Sequence, residues 1–252
     1  SAQCMPQRWG AGGYSREAAH FAPASVHAWG GYGFTPLHVA AGAGRGGQPH
    51  SRRFAADLLA LPGSLPGMSE TPAAGVALLV VDVQPTFLKA MPEGEACLRR
   101  CVLAASAAKL LGVPVLFTEQ VPAKLGPTHP DLLLAAGEGR AVFGKTAFSA
   151  FGAPGLVEAF GKMQVSQLLI CGLEIPVCVY QTTMDALREG MGVTILSDAV
   201  TGRRSADGRA CLESLRAAGA HVLPTETVFY ALVGDATHPQ FRAFTELVKQ
   251  AA

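Results

Sequence analysis

Three side chains, far apart in the chain, have the types needed to break an acyl bond: Asp82, Lys145 and Cys178. Asp82 closes the apolar run LLVV, Lys145 follows RAVFG, and Cys178 lies a few residues past the apolar run QLLICG. A thiol that attacks a carbonyl carbon needs a base to take its proton and a cation to hold the anion. Asp82 suits the first role and Lys145 the second. Where a strand gives way to a helix, the first backbone N–H groups of the helix are unpaired and its dipole favours negative charge. Such a turn is expected to stabilise a Cys178 thiolate and lower its pKa. Backbone N–H groups between Leu173 and Cys178 could also hold the oxyanion of a tetrahedral intermediate. Each residue has a plainer reading: Asp82 as a helix N-cap, Lys145 as a surface cation, Cys178 as a small buried apolar residue. What favours chemistry is that all three stand at strand ends.

No histidine competes well for the role of base. His129 lies in a proline-rich loop, His238 precedes Pro239 at a helix start, and His221 falls in a short strand. No GxSxG elbow occurs, so a serine hydrolase has little support.

The elements that must position these residues follow from periodicity. GVALLVVDV, GVPVLFTEQ, RAVFGK, QLLICG, GVTILSDAV and AHVLPT read as strands. Helical spacing is predicted for residues 93–111, APGLVEAFGK, PVCVYQTTMDALREG, SADGRACLESLRAAG and HPQFRAFTELVKQ. The loop VPAKLGPTHPD, with three prolines, is predicted to be irregular. Most strands lack polar alternation, so they are buried on both faces. The fold predicted is α/β, a three-layer α/β/α arrangement around a mainly parallel sheet. In such sheets the ligand crevice lies beyond the carboxyl ends of the strands. By position near those ends, Gln84, Phe87, Glu119, Gln120 and Phe148 should surround the crevice; loop packing or capping explains them equally well.

Bulk composition narrows the classes. The chain has 252 residues, 49% of them hydrophobic, with a net charge of +1. No basic face for nucleic acid is expected, nor a membrane segment, since no long apolar run occurs. The six cysteines form no CxxC pair and no zinc-finger spacing with histidine, which fits reduced thiols in an intracellular compartment. Cys97 and Cys101 share a helix face and read as small core residues. Cys171, inside a strand, reads as inert core.

The chain changes character near residue 68. Residues 1–67 hold 12 glycines, five arginines, no lysine and only two acids, Glu17 and Asp57. This is the composition of a low-complexity extension: a mitochondrial or plastid transit peptide, or a segment foreign to the mature protein that would start near Met68. Without a transit role the location expected is cytoplasmic. GAGRGG at 42–47 matches a dinucleotide fingerprint formally, but Pro49 and a polar stretch follow where a helix should open. Residues 68–252 form the predicted domain.

LLVVDVQPTF, FTEQVPAKLGPTHPDL, GKTAFSAF, CGLEIPVCVYQTTMDALREG, ILSDAVTGRR and LVGDATHPQFRAFTELVK together resemble the isochorismatase-like cysteine hydrolase superfamily, above all its eukaryotic domain-containing group. The resemblance spans about residues 75–250. It implies a parallel three-layer sheet, frequent homo-oligomers, and an Asp–Lys–Cys triad that maps onto Asp82, Lys145 and Cys178. It also implies a non-proline cis peptide at Leu173–Glu174, with the backbone N–H groups of Glu174 and Cys178 as oxyanion donors. Pro176 has no N–H and cannot serve. Nicotinamidases of the superfamily carry an Asp/His metal site near the first two strands, where this chain has no histidine, so neither a metal nor nicotinamide is expected. True isochorismatases have glycine at the nucleophile position; Cys178 argues against isochorismate. The function implied is a cofactor-free cysteine hydrolase of a small amide or related acyl compound. A catalytically weak binding or scaffolding protein on the same fold is the alternative.

Overall fold

The computed structural model describes residues 74–251. The glycine-rich segment, its GAGRGG motif and the expected boundary near residue 68 lie outside the described residues.

Six strands form one sheet: β1 (Val76–Val81), β2 (Val115–Gln120), β3 (Ala141–Lys145), β4 (Gln167–Leu173), β5 (Gly192–Thr201) and β6 (His221–Leu223). Their spatial order is β3-β2-β1-β4-β5-β6, and every neighbouring pair is parallel. β1 is buried along its whole length, as its unbroken apolar run requires. Alternate residues serve opposite faces. Leu78 and Val80 join Phe117 and Leu169 beneath α2 (Gly94–Leu110), α4 (Pro130–Ala136), α8 (Thr225–Val233) and α9 (Phe241–Gln250). Leu79 and Val81 join Leu116 and Ile170 on the other face, beneath α5 (Leu156–Lys162), α6 (Tyr180–Arg188) and α7 (Ser205–Ala217). The result is three layers with an all-parallel middle. Cys97, Cys101 and Cys171 are core residues of the first face, as their positions in the sequence indicated.

This strand order reverses between β1 and β4. One half of the chain winds outward from β1 and the other from β4, so no crossover covers the gap between their carboxyl ends. Asp82 and Cys178 follow those two strands.

Two expectations need correction, and one helix was not foreseen. The stretch 121–131 is not irregular: it holds α3 (Pro122–Leu125) and the start of α4, each with proline at the first helical position, where the missing N–H costs nothing. The side chain of His129 caps α4 by accepting from the Asp131 N–H. A further short helix, α1 (Pro85–Leu88), follows β1 by the same rule. The segment after β6 carries α8, which its sequence pattern does not announce. TVFYALV looks like a strand, but Val228, Phe229 and Leu232 are buried at helical spacing. Finally, α6 does not run back to Pro176. It is preceded by a π-helical turn, Ile175–Val179.

Candidate active site

At the carboxyl ends of β1, β3 and β4 the chain brings Asp82, Lys145 and Cys178 together. All three are nearly inaccessible. The Lys145 ammonium donates to Oδ2 of Asp82 at 2.7 Å and lies 3.8 Å from the Cys178 sulfur. It also donates to Oε1 of Gln120 at 2.6 Å and meets the carbonyls of Ala147 and Phe148 at 3.1 Å each. These oxygens replace the water that a buried cation loses, and the arrangement fixes its position. The second carboxylate oxygen of Asp82 accepts from the Thr118 hydroxyl at 2.8 Å.

Backbone strain gathers at the same rim. Asp82 (φ 53), Val121 (φ 40) and Glu174 (φ 61) adopt the left-handed region, and each follows the end of one of three neighbouring strands, β1, β2 and β4. For a β-branched residue such as Val121 this is an outlier that only surrounding structure sustains. The expected cis peptide at Leu173–Glu174 is absent: every peptide bond among the described residues is trans. The chain turns instead through Gly172 (φ 127) and the left-handed Glu174. Gly172 sits against β1 so closely that an added Cβ would fall 2.2 Å from the Val81 carbonyl oxygen. The pairing of β4 with β5 also shifts between Ile170 and Gly172.

The turn that follows presents Cys178. The amides of Val177 and Val179 both donate to the Glu174 carbonyl, at 3.0 and 3.2 Å. The expected low thiol pKa is overturned. Burial first, then the negative charge of Asp82, pushes the Cys178 thiol from 9.0 up to about 12, against the opposing pull of Lys145. At neutral pH Cys178 is therefore a thiol beside a carboxylate, not a resting thiolate. A helix-terminus dipole does not decide here, because Cys178 is buried within a π-helical turn.

Of the five flanking residues, Gln84 and Gln120 do belong to the site. Gln84 is fully buried and brackets the backbone of Gln120 from both sides, accepting from its N–H at 2.8 Å and donating to its carbonyl at 3.2 Å. Gln120 in turn holds Lys145. Glu119 turns away to Thr128, and Phe87 packs on the core. Phe148 contributes its carbonyl while its ring stands exposed. Thr118 and Arg203 escaped sequence reasoning. A threonine inside the apolar run VLF-T was the signal for the first; the second carried none, because its partner Glu174 is distant in sequence.

The residues near β1 and β2 do not fit a nicotinamidase-type metal. Gln84 is committed to backbone groups, Glu119 to Thr128, and no cluster of three or more His, Cys, Asp or Glu among the described residues could hold an ion. A cavity of about 840 Å³ lies beside α1 and α2, lined by Pro85, Met91, Arg99 and His129 among others, and includes none of the three strand-end residues. Volume and chemistry are separated here, and the polar convergence is the better guide to the site.

A family model described as Isochorismatase domain matches residues 76–227. Isochorismatase domain-containing protein 2 of Bos taurus is 41% identical over 143 residues, which are 57% of this chain and 68% of the relative. A solved structure from Caenorhabditis elegans, titled MAR1 ribonuclease, is 31% identical with a TM-score of 0.67, covering 70% of this chain and 91% of its own. The ycaC gene product of Escherichia coli, titled an octameric hydrolase of unknown specificity, is 20% identical with a TM-score of 0.61, covering 75% and 100%; at that identity it speaks for the fold alone.

Proposed function

The chain belongs to the isochorismatase family, and from that premise we propose that it is a hydrolase that cleaves a small amide or related acyl compound through Cys178, without a cofactor. The observation that supports this reading is the buried contact set of Lys145, 2.7 Å from the Asp82 carboxylate and 3.8 Å from the Cys178 sulfur.

In the proposed reaction Asp82 takes the Cys178 proton as the sulfur attacks the carbonyl carbon. A resting thiol with a raised pKa needs such a base, which removes the proton only as the new bond forms. Negative charge then moves to the carbonyl oxygen, where the backbone N–H groups of Glu174 and Cys178 receive it. The C–N bond breaks and the amine leaves with the proton held by Asp82. Water, deprotonated by Asp82, attacks the thioester carbon. The acid is released, and the sulfur recovers its proton from Asp82. Lys145 holds Asp82 in place throughout, and hydrogen-bonds the sulfur whenever it carries charge.

The experiment is a panel of small amides and esters, with RNA as a further arm because the Caenorhabditis elegans relative is titled a ribonuclease. Turnover of one acyl substrate, lost in Cys178→Ala with the fold intact, supports the proposal. A panel on which wild type and Cys178→Ala are equally inert favours the scaffolding role, and cleavage of RNA alone contradicts acyl transfer.

We propose also that the domain begins near residue 68 and that the protein works as a homo-oligomer. Support for assembly comes from Leu134, Val142, Phe148 and Val157, large apolar side chains exposed on the described surface.

A further inference from the structure

One charged pair sits directly behind the turn that carries Cys178, and nothing in the reaction above uses it. Glu174 is the residue whose backbone leads β4 into that turn. Its side chain is only 8% exposed, whereas its partner Arg203 is 66% exposed. The guanidinium grips the carboxylate as a fork: Nε donates to Oε1 at 3.1 Å and Nη2 to Oε2 at 3.2 Å, and the Arg203 backbone N–H adds a third bond to Oε1 at 3.3 Å. A fork of this kind fixes direction as well as distance.

Glu174 is thus held at both ends. Its carbonyl accepts from Val177 and Val179, within the turn. Its carboxylate is held by the segment that follows β5, since Leu173 pairs with Thr201 and Arg203 lies two residues beyond. That segment also packs hard on the turn: a Cβ added at Gly202 would fall 3.1 Å from Cδ of Pro176. Between these anchors Glu174 keeps φ 61 and ψ 67, a conformation that a non-glycine residue adopts at a cost and holds only where its surroundings enforce it.

We propose that Arg203 is a positioning residue: by fixing the Glu174 side chain from the β5–α7 connection, it holds the left-handed Glu174 backbone in the orientation that lets its N–H receive the oxyanion. This rests on the acyl-transfer reading, in which the Glu174 amide is one of two oxyanion donors. Arg203 touches no reacting atom. It acts through Glu174, and its loss should weaken any adduct that carries charge on oxygen while sparing reactions at sulfur that form no oxyanion.

Two small neutral probes separate these cases in a Cys211→Ser background, which removes the partly exposed thiol on α7. Carbon-13-labelled propanal reacts with Cys178: a C–S bond forms, the C=O π bond breaks, the thiol proton passes to Asp82 and the resulting alkoxide oxygen enters the proposed hole, so its affinity reads the geometry there. Methyl methanethiosulfonate transfers a methylthio group to the same sulfur with loss of methanesulfinate and forms no oxyanion. With Arg203→Met, propanal affinity at Cys178 should fall roughly 10- to 100-fold, the size expected for a displaced oxyanion donor, while the methylthiolation rate stays within about twofold. Arg203→Lys, which keeps the charge but not the fork, should fall between wild type and Arg203→Met. Unchanged propanal binding in Arg203→Met overturns the proposal. So does an Arg203→Lys variant equal to wild type, which would reduce the residue to a charge effect. Wild-type protein that forms no propanal adduct at Cys178 overturns the acyl-transfer reading itself, and the proposal with it.

Discussion

At Cys178 the surroundings pull in two directions, and the balance between them sets what can be measured. Burial and the Asp82 carboxylate hold the proton on sulfur, Lys145 pulls it off, and the outcome is a thiol pushed up to about 12. Alkylation of Cys178 by a neutral reagent should therefore keep accelerating as pH rises past 9, where an ordinary thiol levels off; a plateau near pH 7 would contradict the burial reading. Stability follows with the same sign. Because the folded state binds this proton more tightly than the unfolded chain, stability is intact below about pH 9 and declines as pH rises toward 12. Cys97 and Cys101, also raised, share that decline, so in urea titrations Cys178→Ala should remove about one proton's worth of the slope and no more. The Asp82–Lys145 pair makes a separate prediction. Both side chains are buried, so Asp82→Asn strands a cation and should cost about 3–5 kcal/mol. The double variant Asp82→Asn/Lys145→Met should be less destabilised than the sum of its single changes, as measured in a double-mutant cycle; strict additivity would mean that the two are not coupled. These three residues were legible in the sequence because polar groups at the ends of apolar runs need a reason to be there. The state of the sulfur was not. A pKa depends on burial from all sides, and the sequence names only the neighbours along the chain.

Among the elements, the join between β1 and β4 decides whether the three side chains meet. Gly172 permits it, since its Cα lies against Val81 at φ 127. Gly172→Ala should destabilise the fold by several kcal/mol, combining a backbone clash with a forbidden φ. Gly112→Ala, at φ 70 in open space, should cost about 1 kcal/mol and serves as the control. Urea denaturation of both variants checks this; equal costs would mean that β1 and β4 are not pressed together. The strands were readable because parallel strands buried on both faces leave unbroken apolar runs such as ALLVV. The helices α1, α3 and α8 were harder. The first two are single turns begun by proline, whose place at a helix start reads in sequence like a break. In α8, Val228, Phe229 and Leu232 lie so close together that their helical spacing is hidden in an apolar run. The π turn at Ile175–Val179 left no trace in periodicity, because one extra residue in a turn shifts a pattern too short to show it.

For the whole molecule, the six-stranded sheet carries its own cores on both faces, so residues 68–252 should fold and turn over substrate as the full chain does. A shortened protein that is unfolded or inactive would assign residues 1–67 a role that their composition gives no hint of. Exposed Leu134, Val142, Phe148 and Val157 should be covered in solution, and light scattering is expected to return a multiple of the 26.1 kDa protomer; a monomer mass would leave those side chains without a partner. The parallel sheet covered by helices on both sides followed from the alternation of strand and helix in the sequence; the spatial order of its strands, and the place where their winding reverses, did not. Contacts between distant segments, such as Arg203 on Glu174, did not, because nothing local marks them. The proposed chemistry comes down to one bond on one sulfur. With an amide or ester that the protein turns over, rapid acid quench followed by peptide mass measurement should find the acyl group on Cys178, removable by hydroxylamine and absent from Cys178→Ala. Full turnover by Cys178→Ala, or an acyl group carried by any other residue, would contradict it.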